Sequence, residues 1–452
     1  MSASRLAFVL AAGLGTRMSS GTAKILHPCA GRPLLLWALD ACSGAGAHPV
    51  VVLSPESAAA RAILPAGATV ALQDPMRGTG DAVRIGLAAT DARDGEAFVV
   101  YGDSPTVTAE TLEALHALRA ERGAVIALLS AEVGLANAYG RIDRDDRGDV
   151  RRIVEARLAT PSERRLPESN LGAYSFDLAW LREAVHGLRP NATGEVFLTD
   201  LVQIAIASGK RVAAYCTPDP GEGLGVNTLV ELAAVEAVLR RRIRERHMLA
   251  GVTFRDPESS QVDAGVTIGA DTVIERGCVL EGRTAIGPDT RVGPYAILRD
   301  TTVGARCRVE ASVLEGATLE DDVRIGPYSH LRRGAYLERG VEMGNFGEVK
   351  NARLRAKTKM HHFSYVGDAD VGERVNIGAG TITLNYDGVS KHRTIIGNDA
   401  FIGSDTLLRA PVTIGEGAAT GAGAVVTKDV APGMLAVGMP ARSIKKVEKP
   451  KR

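Results

Sequence analysis

The sequence predicts two domains of different class, an α/β domain followed by an all-β parallel β-helix, joined by a helix. Three observations carry this. Strand-length apolar runs alternate with helical patterns through the first half, an amphipathic stretch fills 229–249, and from Val262 onward aliphatic residues recur every six positions. A chain of 452 residues also exceeds what one hydrophobic core usually fills.

The apolar runs lie at 6–12, 50–53, 68–73, 97–101 and 124–130, separated by helical segments such as 33–43 and 108–122. Such alternation reads as a parallel, doubly wound, Rossmann-like sheet over 1–228. Ligands sit at the carboxyl ends of the strands of such sheets, where Gly13 to Arg17 and Tyr101-Gly102-Asp103 both fall. Leu232, Val235, Leu239 and Ile243 form one stripe of a linker helix placed at 229–250.

From 251 to 452 the period is six: Val262, Ile268, Ile274, Leu280, Ile286, Val292 and Leu298, and again Ile396, Ile402, Leu408, Ile414 and Val426 with Thr420 in the remaining slot. This is the signature of a parallel β-helix whose stacked coils share one core; a sandwich would show a period of two.

With 54 basic against 53 acidic residues there is no global field to attract nucleic acid or an anionic membrane, so any phosphate binding is local. The five cysteines are scattered and lack any C-x-x-C pair, which indicates neither a disulfide framework nor a zinc site and fits a reduced, cytoplasmic setting. No apolar stretch approaches the length of a membrane span. Leu6 to Ala12 reads as a buried strand feeding a glycine loop, not as a signal-peptide core.

A glycine-rich turn after a strand lets backbone N–H groups approach phosphates, and Arg17 and Lys24 could neutralise their charge. Most G-x-G pairs are only tight turns. Here the run Leu10 to Met18, Lys24 and Leu26-His27-Pro28 resembles the sugar-nucleotide pyrophosphorylases. Gln73, Gly78-Thr79-Gly80, Tyr101-Gly102-Asp103, Tyr139-Gly140-Arg141, Ile153-Val154-Glu155, Asn170, Leu198-Thr199-Asp200 and Gly225-Val226-Asn227 follow in that family's order. With the hexapeptide half, the chain from about 6 to about 440 resembles the bifunctional N-acetylglucosamine-1-phosphate uridyltransferases and glucosamine-1-phosphate acetyltransferases.

The resemblance implies a left-handed β-helix, a homotrimer with active sites between subunits, and two sets of site residues. Leu10, Ala11, Ala12, Gly13, Gln73, Gly78, Thr79, Tyr101, Gly102 and Asp103 would serve the nucleotide, with Arg17 and Lys24 catalytic, and Gly140, Glu155 and Asn170 would hold the N-acetyl sugar. Asp103 and Asn227 would bind magnesium, a hard cation suited to oxygen ligands and to attack by a sugar phosphate on an α-phosphorus. Taken singly, Asp103 could be a cap, Asn227 a turn residue and Glu155 a solvated strand residue. The chain departs from the family pattern at Leu14, Ala23, Asp81 and Leu171, where lysine, proline, histidine and serine or threonine are usual.

In the second half, 328–395 breaks the plain hexad and gathers polar residues, as loops and sites in solenoids do. Acetyl transfer to an amine needs a base for the ammonium proton, and histidine titrates nearest the working pH. On an extended strand His361 and His362 would face opposite sides, and periodicity does not choose between them. The resemblance assigns His362 as base, Arg332, Lys350, Tyr365, Asn376 and Lys391 to glucosamine 1-phosphate, and Asn385, Tyr386, Ser404, Ala422 and Arg442 to acetyl-coenzyme A. The Lys-rich tail 445–452 reads as a solvated terminus.

Two rivals stand beside this reading: a single-activity pyrophosphorylase whose β-helix only oligomerises, and a non-catalytic sugar-nucleotide sensor. The cluster of His362 with Asn385-Tyr386 argues against the first, and Lys24, Asp103 and Asn227 against the second.

Overall fold

The computed structural model describes residues 4–446 apart from 14, 16, 17, 19, 20, 133–138, 156–158, 193 and 220. The chain forms two compact units, Met1–Leu239 and Arg240–Arg452, and the boundary falls inside the helix Leu229–Leu249. Val235, Leu239 and Ile243 on this helix are buried, four residues apart along one stripe, whereas Leu232 is half-buried.

In the first unit, β1 (Ser4–Leu10), α1 (Leu34–Gly44), β2 (His48–Leu53), β3 (Thr69–Leu72), α2 (Thr79–Ala88), β4 (Gly95–Tyr101), α3 (Ala109–Arg122) and β5 (Ile126–Glu132) follow the expected alternation. A hairpin of β6 (Arg141–Arg144) and β7 (Val150–Val154), then β8 (Glu168–Asp177) and β9 (Val212–Cys216), complete the sheet. The strand order along the main path is β9-β5-β8-β4-β1-β2-β3. β1 is buried on both faces: Leu6, Phe8 and Leu10 enter one core, Ala7, Val9 and Ala11 the other. That is why its sequence is a continuous apolar run.

The sheet is mixed, which corrects the parallel reading. β8 lies antiparallel between β4 and β5. Among the described residues only the hairpin and the short 3-10 turn Glu163–Arg165 lie between β5 and β8, so no crossover helix carries the chain back, and a return without crossover runs antiparallel.

The second unit is a β-helix with three faces of 12, 10 and 9 strands, in which strands pair with the one three positions on in sequence except at the end of the 12-stranded face, where Ala419–Thr420 pairs Met434–Gly438 and that strand pairs antiparallel with Ala441–Lys446. Of the expected inward residues, Val262, Ile274, Leu280, Ile286, Val292, Leu298, Ile396, Ile402, Leu408, Ile414 and Val426 are buried, and only Ile268, near the first coil, is half-buried. Thr420 fits the core because its hydroxyl accepts from Gly403 N–H at 2.9 Å and meets Thr406 Oγ1 at 2.9 Å.

The break expected over 328–395 is smaller than the sequence suggests. Buried residues continue through Leu331, Leu337, Met343, Val349, Leu354, Met360, Val366, Val371 and Ile377. The period slips because some corners are one residue shorter, and a left-handed residue closes them: Asn351 (φ 46°) between Val349 and Leu354, and Asp368 (φ 47°) between Val366 and Val371. Only the loop between Leu384 and Thr394 leaves the coil. The tail expectation is also corrected in part, since Lys445 and Lys446 belong to the strand Ala441–Lys446, paired antiparallel with Met434–Gly438, while 447–452 lie outside the described residues.

Candidate active sites

β1 and β4 are the neighbours from which the chain winds in opposite directions, and a cavity of about 670 Å³ opens at their carboxyl ends. Leu10, Ala11, Ala12, Gly13, Lys24, Gln73, Gly78, Thr79, Tyr101, Asp103, Gly140, Glu155, Asn170 and Asn227 all line it. Gly102 does not reach the wall: its N–H donates to Leu10 O at 2.9 Å, and a Cβ there would press on Ala11 and Leu35. Its contribution is close packing of β1 against β4. Arg17 and Leu14 lie outside the described residues.

The walls are built by local rules. Gly13 has nothing within 4 Å of where a Cβ would stand, so its backbone faces open space. Gly78 precedes α2 at φ 102°, and a Cβ there would stand 2.5 Å from Val196 O, which only glycine avoids. Asn227 precedes the long helix, held by Glu231, which accepts from Asn227 N–H at 2.8 Å while Thr228 accepts from Glu231 N–H at 3.2 Å.

On one side of the cavity, Lys24 Nζ donates to Asp103 and reaches Asn227 Oδ1 at 3.3 Å. Lys24 is buried and Asp103 largely so, which leaves an ion pair facing the cavity with little water around it. One carboxylate and one amide oxygen thus converge on a point already occupied by positive charge, a donor set that suits a hard cation. On the other side, Thr199 donates to Glu155 at 2.8 Å, and burial followed by the Glu155 charge pushes the Asp200 carboxyl above its usual range. Tyr101 is raised by burial, then by Glu155 and Asp103, and stays protonated at any working pH.

Three of the four departures from the family pattern, Ala23, Asp81 and Leu171, lie among the described residues. Ala23 sits at φ −56°, the value proline would impose, so no geometry is lost. Asp81 is buried, pairs with Arg84 and accepts from Gln73 Nε2 at 3.0 Å, while Gly78 O accepts from the same nitrogen at 3.0 Å. The Gln73 amide is therefore held from behind by two acceptors. Leu171 gives the cavity an apolar wall. Residues that the sequence reading did not single out as contacts also line it, among them Met76, Tyr139, Gly172 and Glu195. Only their place after a loop or turn hinted at this.

In the β-helix most of the candidate residues occupy the two edges of its ten-stranded face. At one edge Lys350, Lys391 and Arg332 crowd together: the Lys391 charge, then Arg332, pulls Lys350 below the ordinary lysine value. Arg332 pairs with Glu348 at 3.0 Å. Asp368, which no periodicity singled out, ties this edge. Burial alone would raise its carboxyl, but Asn351 and Asn385 donate to it and Lys391 and Lys350 face it, so it lies below its usual range. The loop carrying Lys391 is braced by Asp387, which accepts from Val389 and Ser390 N–H at 2.8 and 2.7 Å, and by a bridge between Tyr386 and Lys391.

His361 and His362 stand on a corner at the other edge, not on a strand, and both are exposed. The opposite-faces argument therefore does not apply. They differ in engagement: His361 Nε2 pairs with Glu342 at 3.0 Å, and no such pairing holds His362 among the described residues. Ser404 and Ala422 occupy the same corner in later coils, linked by Gly423 N–H to Ser404 O at 2.8 Å. Tyr365 lies on the face between the edges, Asn376 on the neighbouring face, and Arg442 is exposed on the terminal hairpin. Along the His362 corner Tyr295, Tyr328, Phe346 and Phe363 form an exposed aromatic column, with Tyr328 and Phe346 stacked at 5.5 Å.

Residues 7–165 match a family model described as a MobA-like NTP transferase domain, and residues 393–428 match bacterial transferase hexapeptide repeats, in keeping with a left-handed β-helix. Curated relatives align over nearly the whole chain. Proteins named bifunctional protein GlmU are 47% identical in Rubrobacter xylanophilus, over 97% of this chain and 94% of that one, and 44% identical in Trichlorobacter lovleyi, over 95% of each. In Mycolicibacterium vanbaalenii the identity is 45%, over 96% of this chain and 91% of that one.

Proposed function

The chain belongs to the family of bifunctional GlmU proteins, and on that premise we propose how its residues carry two successive transfers. It is a bifunctional transferase. The hexapeptide half acetylates glucosamine 1-phosphate from acetyl-coenzyme A; the nucleotidyltransferase half couples the product to uridine triphosphate, giving UDP-N-acetylglucosamine for peptidoglycan and pyrophosphate.

The observation that carries the first-unit assignment is the convergence of Lys24, Asp103 and Asn227 on one cavity wall. Lys24, with Arg17, neutralises triphosphate charge; Gly13 and its neighbours offer backbone N–H groups; Gln73 and Gly78 border the base; Gly140, Glu155 and Asn170 face the sugar. Asp103 and Asn227 would hold magnesium, which when bound supplies charge neutralisation between the reacting phosphates. Catalysis is then positioning and electrostatics, with no covalent intermediate on the protein. Replacing Lys24 by alanine should lower pyrophosphate release from supplied N-acetylglucosamine 1-phosphate by on the order of 100-fold or more. Asn227→Ala should raise the magnesium concentration needed for half-maximal rate. Full activity in Lys24→Ala would remove this assignment.

In the β-helix His362 takes the ammonium proton of the amino sugar, and Arg332, Lys350 and Lys391 meet its phosphate, with Tyr365 and Asn376 beside the sugar. Asn385, Tyr386, Ser404 and Ala422 border the coenzyme, with Arg442 near its phosphates. The base and the cations sit on opposite edges of a face one strand wide, about 10 Å. A homotrimer that lays one subunit's edge against another's closes that gap and covers the aromatic column, whose exposure otherwise favours association. Light scattering of the purified chain should give three times the monomer mass. None of the described helices is long and apolar enough to cross a membrane. The enzyme works in the cytoplasm, the reduced setting that five scattered cysteines without a C-x-x-C pair fit.

A further inference from the structure

The cavity floor contains a buried group that touches no candidate ligand yet fixes one that does. Tyr174 is fully buried on β8 and is not on the cavity wall. Its hydroxyl accepts from Asn170 Nδ2 at 2.7 Å. Four residues along a regular strand would separate the two Cα atoms by about 13 Å. Here β8 shifts register against β5 between Asn170 and Tyr174, and Gly172 turns the chain inside that irregularity at φ 78°. Such a bulge re-aims side chains.

Counting protons gives the floor a polarity. Gly172 N–H, a donor only, approaches Asn170 Oδ1 at 3.3 Å, which fixes the amide with its nitrogen toward Tyr174. The second Asn170 N–H is left as a donor for the cavity. Burial keeps the Tyr174 phenol protonated, so this polarity does not change with working pH.

We propose that Tyr174 is a positioning residue that sets sugar selection: through Asn170 it turns an N–H donor toward the cavity, which favours a sugar 1-phosphate bearing a carbonyl oxygen on its nitrogen over one bearing a free ammonium. The proposal rests on the assignment of Asn170 to the sugar. An amide carbonyl accepts from this N–H, whereas an ammonium, itself only a donor, leaves it unsatisfied. Selection at this point makes the nucleotidyl transfer wait for an N-acylation that must precede it.

The test is Tyr174→Phe in the full chain, which keeps the ring and its contact with Phe176 and removes one hydroxyl. The KM for N-acetylglucosamine 1-phosphate should rise about fivefold to tenfold. Its kcat/KM advantage over glucosamine 1-phosphate should fall by a similar factor, with the KM for uridine triphosphate and the thiol release of the β-helix unchanged. Asn170→Ala is measured beside it. If Asn170→Ala reduces the advantage and Tyr174→Phe does not, Tyr174 is only packing and the proposal is overturned. An unchanged advantage in Asn170→Ala overturns the sugar assignment and the proposal with it.

Discussion

The two halves of this chain assemble their sites by opposite means. In the α/β unit, residues as distant as Lys24 and Asn227 meet in one cavity because strand ends and the loops after them converge where the winding reverses. In the β-helix each coil returns the chain to the same column, so Arg332 and Lys350 or His362 and Ser404 stand in rows on an open surface. A convergent sheet encloses its chemistry within one chain. A solenoid displays it and leaves enclosure to whatever packs against it, which is the physical reason for expecting a partner subunit at that site.

This contrast can be broken by substitutions of similar size. The largest effect expected is on the solenoid core: Leu314→Ala, at a fully buried position shared by stacked coils, should destabilise the β-helix by about 2–5 kcal/mol, read as a lower melting temperature at which thiol release is lost before pyrophosphate release. Next is Gly78→Ala, where a Cβ would meet Val196 O at 2.5 Å. Displacing that wall should cost on the order of 100-fold in pyrophosphate release, with thiol release intact. A destabilisation of both activities together would mean the halves are not independent in function.

A third, subtler prediction uses charge. Lys350 sheds its proton below the 10.5 of an ordinary lysine because Lys391 and Arg332 crowd it. Its attraction for a sugar phosphate is therefore complete below that lowered value and fades as pH rises through it. The KM for glucosamine 1-phosphate should climb at a pH below 10.5, and Lys391→Met, by removing the largest repulsion, should move that rise to higher pH. The smallest effect expected is Gly423→Ala, at φ +69° with open space where the Cβ would stand, which should cost about 1–2 kcal/mol in stability and little in rate.

The β-helix was the more legible half because its core repeats one rule: an aliphatic residue every six positions, buried at nearly every slot named. What hid part of it was the five-residue corner, which shifts the phase without ending the fold, as at Asn351 and Asp368. In the α/β half the first five strands were legible from apolar runs, but β6 to β9 were not among the runs read, and the direction of β8 had no signal, since a doubly buried strand reads the same whichever way it runs. The cavity residues were legible only as a family pattern in order. Asp81 behind Gln73 and Tyr174 behind Asn170 were invisible to it, because a supporting hydrogen bond leaves no spacing in the sequence.

The central claim, two independent active sites on one chain, is tested most directly by one coupled assay. Purified protein is given glucosamine 1-phosphate, acetyl-coenzyme A, uridine triphosphate and magnesium, with free thiol and pyrophosphate followed separately in His362→Ala, Asp103→Ala and the unaltered chain. The account predicts that thiol release is lost only in His362→Ala, and that pyrophosphate release from supplied N-acetylglucosamine 1-phosphate is lost only in Asp103→Ala. Pyrophosphate release without thiol release in the unaltered chain would contradict it and leave the β-helix a structural element.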